Sequence, residues 1–397
     1  MGTLTVKNCT IWDVHYWRRG GKSKAVVKPG KEGTYDWGTT YTLGVKREKL
    51  SPEGKHYRKA VNNKGTYYIV WNSSKEELDI LSENSASVYP NSNDNKYLSI
   101  FFKTYNNWMS TLDGTLTLDK FSIPGTHDSG TKKVGKGMAH TQNFDIDRQL
   151  EDGIRFLDIR LDGVVGFKDK LVVYHGFIFC FLSFEEVLNS CKSFLDKNSE
   201  ETIIMLVDTS GFIYRDIEKR FKKYLEKDKF KNLFYLKGDI PSLDKIRGKI
   251  ILFRRFHIEG SSIMGVDLSK GWKDNETFSL TTPKKNKFEI EDKYNDHNTN
   301  KKVKYVEANL NNAISNPNDG IMYITYNSIS AGSHTPYQYA CGGKGIDPAM
   351  NPSLQTYLKS KTGYKRFGII MLDFYNDKGA DYDLIEAIIK SNDGFKK

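Results

Sequence analysis

The sequence predicts an α/β protein: a distorted (β/α) TIM-type barrel preceded by a small all-β domain of sandwich type. Three observations carry that expectation. Residues 1–81 hold short alternating runs (LTVKNCTIWDVHYW, YTLGV, GTYYIVWN, ELDIL) broken by GGKSK, KPGKEG and SPEGK, the rhythm of short strands joined by turns. Residues 82–97, beginning SENSASVYPNSNDN, are rich in Ser and Asn and poor in large aliphatics, which reads as a linker. From residue 98 to 397, apolar runs alternate with amphipathic stretches, as in a parallel sheet buried on both faces and closed into a barrel.

The elements of the second part follow in order. FSI precedes the helical NFDIDRQLEDG; RFLDIRL and LVVYHG precede SFEEVLNSCKSFL; TIIMLVD precedes IYRDIEKRFKKYLEK. KIILFRR is followed by a long polar excursion and VKYVEANLNNAI, IMYITYN by NPSLQTYLKS, and FGIIMLDFY by YDLIEAIIK. The first strand stops in SIPGTHDSGT, where Pro124 and Gly125 end an apolar run and His127 and Asp128 follow. Asp158 and Arg160 close RFLDIR, His175 closes VVYH, Asp208 ends TIIMLVD, Arg254 and Arg255 end KIILFRR, and Asp373 ends IIMLD. In a barrel these carboxyl ends form the rim that carries chemistry.

One polar residue at a strand end is usually a turn or cap. Two histidines, several carboxylates and arginines on one rim need each other as partners, because unpaired buried charge is expensive. Two imidazoles serve as general base and general acid, carboxylates orient them, and an arginine fork holds a phosphoryl oxygen. That combination points to phosphodiester cleavage. No P-loop, GxSxG, HExxH or dinucleotide fingerprint is present, and Cys9, Cys180, Cys191 and Cys341 lack zinc-ligand spacing.

These motifs also carry a family likeness. From YNNWMS (105–110) to the C-terminus the chain resembles the bacterial phosphatidylinositol-specific phospholipases C, through SIPGTHDSGT, GIRFLDIRL, VVYHG, ETIIMLV, RGKIILFRR, DNETF, EDKY and IIMLDF in that order. The resemblance implies a distorted barrel and attack of the inositol 2-hydroxyl on the adjacent phosphodiester, releasing diacylglycerol and a cyclic inositol phosphate. It makes His127 the general base oriented by Asp373, His175 the general acid supported by Asp128, and Arg160 the phosphate-binding residue. Arg255 and Asp292 match residues that hold inositol hydroxyls, and Tyr294 the aromatic that stacks on the ring.

One position departs from the pattern. Asp208 stands where the bacterial enzymes have a lysine and metal-dependent relatives an acidic ligand; Asp158 also stands at a ligand position. Arg160, however, takes the place of another ligand carboxylate, and a guanidinium there repels a hard cation. The expectation is therefore no metal and no cofactor, with Asp158 and Asp208 among the substrate-binding residues and Asp208 paired to Arg160 or another rim arginine.

The partner expected is phosphatidylinositol or glycosyl-phosphatidylinositol, met by peripheral contact with a membrane. Net charge is +11, and residues 1–97 hold 16 Lys and Arg against 10 Asp and Glu, which suits an anionic lipid surface. Nucleic acid is not expected, since no long basic track interleaves with aromatics. Trp12, Trp17, Trp37 and Trp71 place most of the tryptophans in the N-terminal part, as core or as a lipid- or glycan-binding face. The loops GKGMAH and SAGSHTPYQYACGG contain no tryptophan and promise only a weak membrane grip. His15, His56, His140, His257, His297 and His334 are expected at the surface or in local hydrogen bonds.

No apolar window long enough to span a membrane and no signal-peptide pattern is visible. A secreted, extracellular protein, peripheral on its target membrane, is the expectation. Oligomeric state is not fixed by the sequence. The competing reading is a toxin-like binding protein whose barrel is catalytically reduced and whose β-domain carries the function; the complete histidine pair favours the enzyme.

Overall fold

The computed structural model describes residues 2–10, 14–18, 24–37, 41–47, 57–61, 65–72, 77–82, 105–135, 137–164, 166–209, 216–260, 264–376 and 383–397. The chain divides into two units, Met1–Thr104 and Tyr105–Lys397. The expected linker falls almost wholly outside the described residues, as do Trp12, His56 and the side chains of Trp17, Trp37 and Trp71.

The first unit comprises β1 (Gly2–Asn8), β2 (Val14–Arg18), β3 (Lys24–Val27), β4 (Glu32–Trp37), β5 (Tyr41–Arg47), β6 (Tyr57–Val61), β7 (Gly65–Asn72) and β8 (Glu77–Ser82). They form two four-stranded sheets, β4-β1-β7-β8 and β3-β2-β5-β6. Val6, Ile69, Leu78 and Ile80 from the first meet Val14, Tyr16, Val27 and Leu43 from the second in one core. Two sheets sharing inward-facing apolar side chains make a β-sandwich.

The second unit contains β9 (Ile123–Thr126), α1 (Ile146–Glu151), β10 (Phe156–Val164), β11 (Phe167–His175), β12 (Ile178–Ser183), α2 (Phe184–Lys197), β13 (Ile203–Thr209) and α3 (Ile217–Glu226). It continues with β14 (Phe234–Tyr235), β15 (Ile250–Arg254), β16 (Val266–Asp267), β17 (Thr277–Thr281), β18 (Lys287–Glu291), α4 (Thr299–Ser315) and β19 (Ile321–Tyr326). Last come α5 (Pro336–Cys341), α6 (Met350–Ser360), β20 (Ile369–Leu372) and α7 (Leu384–Lys390). The neighbours β15-β13-β10-β9-β20-β19-β18 are joined by parallel pairing throughout.

Strand alternation divides the apolar residues into two layers. Ile203, Met205 and Val207 pack with helix residues such as Val187, Leu195, Phe221 and Leu354. Ile204 and Leu206 join Phe156, Phe253, Ile290, Ile324 and Met371, from the opposite faces of neighbouring strands, in the barrel interior. Gly125 shows how tight this interior is: a Cβ there would lie 2.8 Å from Met371 Sδ and 2.9 Å from Phe156 Cβ.

One expectation about the fold needs correction. LVVYHG is not a parallel barrel strand. β11 runs antiparallel to β10 and pairs only with its outer end, Leu161 to Val164, then turns into β12, again antiparallel. β10 overshoots the rim and β11 returns to it, which is how the end of an antiparallel strand brings His175 to rim level. His140 is buried at 8% exposure and packs edge-on against Phe374, with ring centroids 5.2 Å apart.

Candidate active site

The same alternation that fills the interior supplies the site. Continuing each interior-facing row outward in steps of two leads from Phe156 to Asp158 and then Arg160, from Leu206 to Asp208, from Phe253 to Arg255 and from Ile290 to Asp292. It also leads from Ile324 to Tyr326 and from Met371 to Asp373. Arg254, one residue out of step, lies on the other face: it is buried at 1% exposure and held by Asp267 at 2.8 Å, so it is not the rim residue its position in FRR suggested.

His127 and Asp128 are set by the turn after β9. The His127 amide donates to the Leu372 carbonyl, and the Gln142 side-chain amide donates to both the His127 and Leu372 carbonyls. Asp128 has φ 42°, a left-handed conformation that Asp tolerates better than most residues. Ser129 Oγ accepts the Asp158 amide and meets Thr126 Oγ1, which donates to Gln149. THDS is thereby tied to β10 and α1.

Around this turn six of the expected residues converge. Asp373 Oδ1 lies 2.9 Å from His127 Nδ1. Asp128 sits at the centre: Oδ1 is 2.8 Å from Arg160 Nε, and Oδ2 is 3.1 Å from His127 Nε2 and 3.2 Å from His175 Nδ1. Arg160 Nη2 is 3.2 Å from His127 Nε2 and 3.5 Å from Asp158 Oδ2. The two imidazole rings stand 6.4 Å apart, nearly perpendicular.

The electrostatics follow from this crowding. Burial alone would lower the His127 pKa, but the Asp128 and Asp373 carboxylates outweigh it and raise the value to about 9. Burial works to raise the Asp128 pKa, yet Arg160, His175 and His127 together bring it down to about 2. Asp373, fully enclosed, is pushed up by burial despite His127. Nε2 of His127 faces a guanidinium, which can only donate, and a carboxylate, which can only accept. The neutral ring is therefore served by Arg160 and the protonated ring by Asp128.

The remaining four expected residues form a second group. Asp208 Oδ2 pairs with Arg255 Nη1 at 3.0 Å, not with Arg160. The Arg255 guanidinium lies 4.1 Å from the Trp272 ring centroid, and Trp272 Nε1 donates to Asp292 at 3.0 Å. Burial raises the Asp292 pKa to about 6, against the Trp272 N–H and Arg255. Tyr294 donates its hydroxyl to Asp274 at 3.0 Å. Tyr326 joins the halves, its ring edge-on to His127 at 6.0 Å and to Trp272 at 6.5 Å.

Sequence reasoning missed Trp272 and Tyr326. Tyr326 was accessible by counting two residues on from Ile324; Trp272 lies in the polar excursion and left no periodic signal. As for metal, His127, Asp128 and Asp158 place one donor atom each within 4.8 Å of one another. Arg160 lies against all three, so a fixed cation already faces these donors.

Residues 118–256 match the family model for the X domain of phosphatidylinositol-specific phospholipase C. The 1-phosphatidylinositol phosphodiesterase of Staphylococcus aureus strain Newman is 30% identical over 310 residues, 73% of this chain and 95% of the relative. The chain belongs to the phosphatidylinositol-specific phospholipase C family. The Listeria monocytogenes phosphodiesterase, also 30% identical, aligns over 303 residues, 73% of this chain and 86% of its own. Solved structures of this family from S. aureus and L. monocytogenes align at TM-scores of 0.64 and 0.57, both at 28% identity over 73% of this chain and 98% and 99% of theirs. One S. aureus phospholipase C structure concerns the modulation of that enzyme's membrane binding. The second unit of this chain thus has the family's TIM-barrel fold.

Proposed function

We propose that the barrel cleaves phosphatidylinositol, free or glycosylated, to diacylglycerol and a cyclic inositol phosphate. The observation that carries this reading is the pair of imidazoles 6.4 Å apart, both in contact with Asp128 and with Arg160 against one of them. His127 Nε2 removes the proton of the inositol 2-hydroxyl, whose oxygen bonds to phosphorus as the bond to the diacylglycerol oxygen breaks. His175 gives that oxygen its proton. Asp373 fixes His127 through Nδ1, and as Nε2 gains its proton Asp128 takes over from Arg160 as its partner. Arg160 then offers its N–H groups to the phosphoryl oxygens, where negative charge builds.

Arg255, Asp208, Asp292 and Trp272 supply the donors, acceptors and apolar face that a polyhydroxylated ring requires. Tyr294, with its hydroxyl on Asp274, adds a second ring surface for stacking. The charge that a metal would neutralise is met by Arg160. Phosphorus NMR of the product tests the chemistry: a cyclic phosphodiester should form at the same rate with and without excess EDTA, and Arg160→Ala should lose about 10³-fold in turnover. Loss of activity in chelator with recovery on calcium would overturn the role given to Arg160.

The +6 charge of residues 1–97 makes the first unit, on this reading, an electrostatic docking module for anionic lipid, in a protein secreted to act at a membrane surface. Among the described residues no helix is long and apolar enough to cross a membrane.

A further inference from the structure

β9 and β20 end alike at the rim. They pair with Leu372 opposite Thr126, so one step further Asp373 stands beside His127, and after it Phe374 beside Asp128. Phe374 has φ 46°, close to the 42° of Asp128. An Asp tolerates this left-handed region, whereas a bulky aromatic residue keeps it only where its surroundings hold it there. The strained residue directly follows the carboxylate that meets His127 Nδ1. Its ring lies between His140 and Tyr337, with both centroids 5.2 Å away.

The peptide joining Asp373 to Phe374 is bound at both of its polar groups. Its N–H donates to the Thr141 carbonyl at 2.9 Å, and its carbonyl accepts from Asn351 Nδ2 at 2.9 Å. The same Nδ2 lies 3.3 Å from the Phe374 carbonyl, so one side-chain amide spans the left-handed residue. Asn351 Oδ1 accepts from Asn327 Nδ2 at 3.1 Å. Two carbonyls on one side and a donor on the other leave the Asn351 amide a single orientation. Both asparagines are fully buried, Asn351 in the first turn of α6 and Asn327 just past β19, where its own N–H donates to the Met371 carbonyl at 2.9 Å. On the far side of the peptide, Thr141 Oγ1 is 3.2 Å from the His127 carbonyl and 3.1 Å from that of Asp128. The backbone that carries His127 and the backbone that carries Asp373 are thus laced together, and Asn351 ties the lacing to α6.

Resting on the proposed function, we infer that Asn351 is a positioning residue of the reaction: by clamping the Asp373–Phe374 peptide in its strained conformation it aims the Asp373 carboxylate at His127 Nδ1. Holding that peptide plane fixes ψ of Asp373 and with it the position from which the side chain reaches the imidazole. Asp373 meets Nδ1, whereas Asp128 and Arg160 meet Nε2, and the rings of His175 and Tyr326 stand 6.4 Å and 6.0 Å away. Loosening the clamp therefore acts on the Nδ1 side. It weakens the hold on the proton of His127 and lets the ring drift, while the contacts of Arg255, Trp272 and Asp292 with one another stay as they are.

The test uses the full chain with dispersed phosphatidylinositol as substrate. Asn351→Ala should lower kcat by about 10-fold to 10²-fold with KM within about twofold, and should move the rising limb of the pH–rate profile to lower pH. Against Asp373→Ala the losses should not add: N351A/D373A should match D373A, since Asn351 then has nothing to aim. Asn392→Ala is the control for stability alone. Asn392 is 1% exposed and ties the Ser122 backbone at the other end of β9, so its loss should lower Tm and leave the limb in place. Asn327→Ala, which removes only the donor to Asn351 Oδ1, should act as Asn351→Ala does but by less, and it decides the matter if Asn351→Ala does not fold. NMR titration of the His127 ring reads the same contact without turnover and should show the same downward shift. Additive losses in the double variant, or a limb and a ring titration that stay in place, would overturn the inference. If the unsubstituted chain does not cleave phosphatidylinositol, the catalytic reading fails instead, while the ring titration still reports whether Asn351 governs the contact of His127 with Asp373.

Discussion

The two halves of the barrel mouth are built on opposite plans. Around His127, six polar residues on or just beyond β9, β10, β11 and β20 press on one another, and Asp128 touches both imidazoles and Arg160. Around Arg255 the contacts form a chain, Asp208 to Arg255 to Trp272 to Asp292, with each member held mainly by the next. On the proposed mechanism the first plan fixes reacting atoms and protons. On the same proposal the second offers separate contacts to a ring with many hydroxyls. Damage to the first should therefore fall on kcat, and damage to the second on KM.

The largest effect is expected at the imidazoles. His127→Ala should lower kcat by about 10³-fold to 10⁴-fold on any substrate, since no other group takes the 2-hydroxyl proton. His175→Ala should lose about 10²-fold or more on the natural lipid but recover much of it with a leaving group that needs no proton. Steady-state kinetics with both substrates check the pair. Recovery of His127→Ala by the better leaving group, or indifference of His175→Ala to it, would break the assignment of base and acid.

A smaller effect has a distinctive signature. His127 must be neutral to act as a base, so kcat/KM should rise with pH as its proton leaves, near the raised value of about 9. Asp373 is one of the two carboxylates that hold that proton. Asp373→Asn should therefore move the rising limb to lower pH, while misorientation of the ring lowers the maximum by about 10²-fold. A pH–rate profile that keeps its position on substitution would remove Asp373 from contact with the base.

The contrast between the halves also explains what the sequence made legible. Each barrel strand writes its own interior face at a spacing of two, so Asp158, Arg160, Asp208 and Asp373 could be placed at the rim from adjacent residues alone. Arg254 shares the strand end with Arg255, but alternation turns it to the other face, against Asp267, and position at a strand end does not by itself say which face a side chain takes. The antiparallel return of β11 was hidden, since a run such as LVVYHG says that a strand exists but not which way its neighbour runs. Asp292 and Tyr294 needed the family resemblance, and Trp272 escaped altogether, because its place depends on a polar segment folding back over Arg255. Residues that depend on distant loops leave no local period to read.

The smallest expected effect concerns Asp208. Its carboxylate pairs with Arg255 while its other oxygen accepts the Thr209 amide at 2.8 Å, and the two paired side chains are 17% and 19% exposed. Arg255 is also held over the Trp272 face at 4.1 Å, so it does not depend on Asp208 alone. Asp208→Asn keeps a hydrogen-bond acceptor and removes the charge from a partly solvated pair of modest worth. KM should rise by about fivefold or less with kcat unchanged, whereas Trp272→Ala, which frees Arg255 and Asp292 together, should raise KM by about tenfold or more. A kcat loss in Asp208→Asn as large as that of Arg160→Ala would place Asp208 with the reacting phosphate and erase the division between the two halves of the mouth.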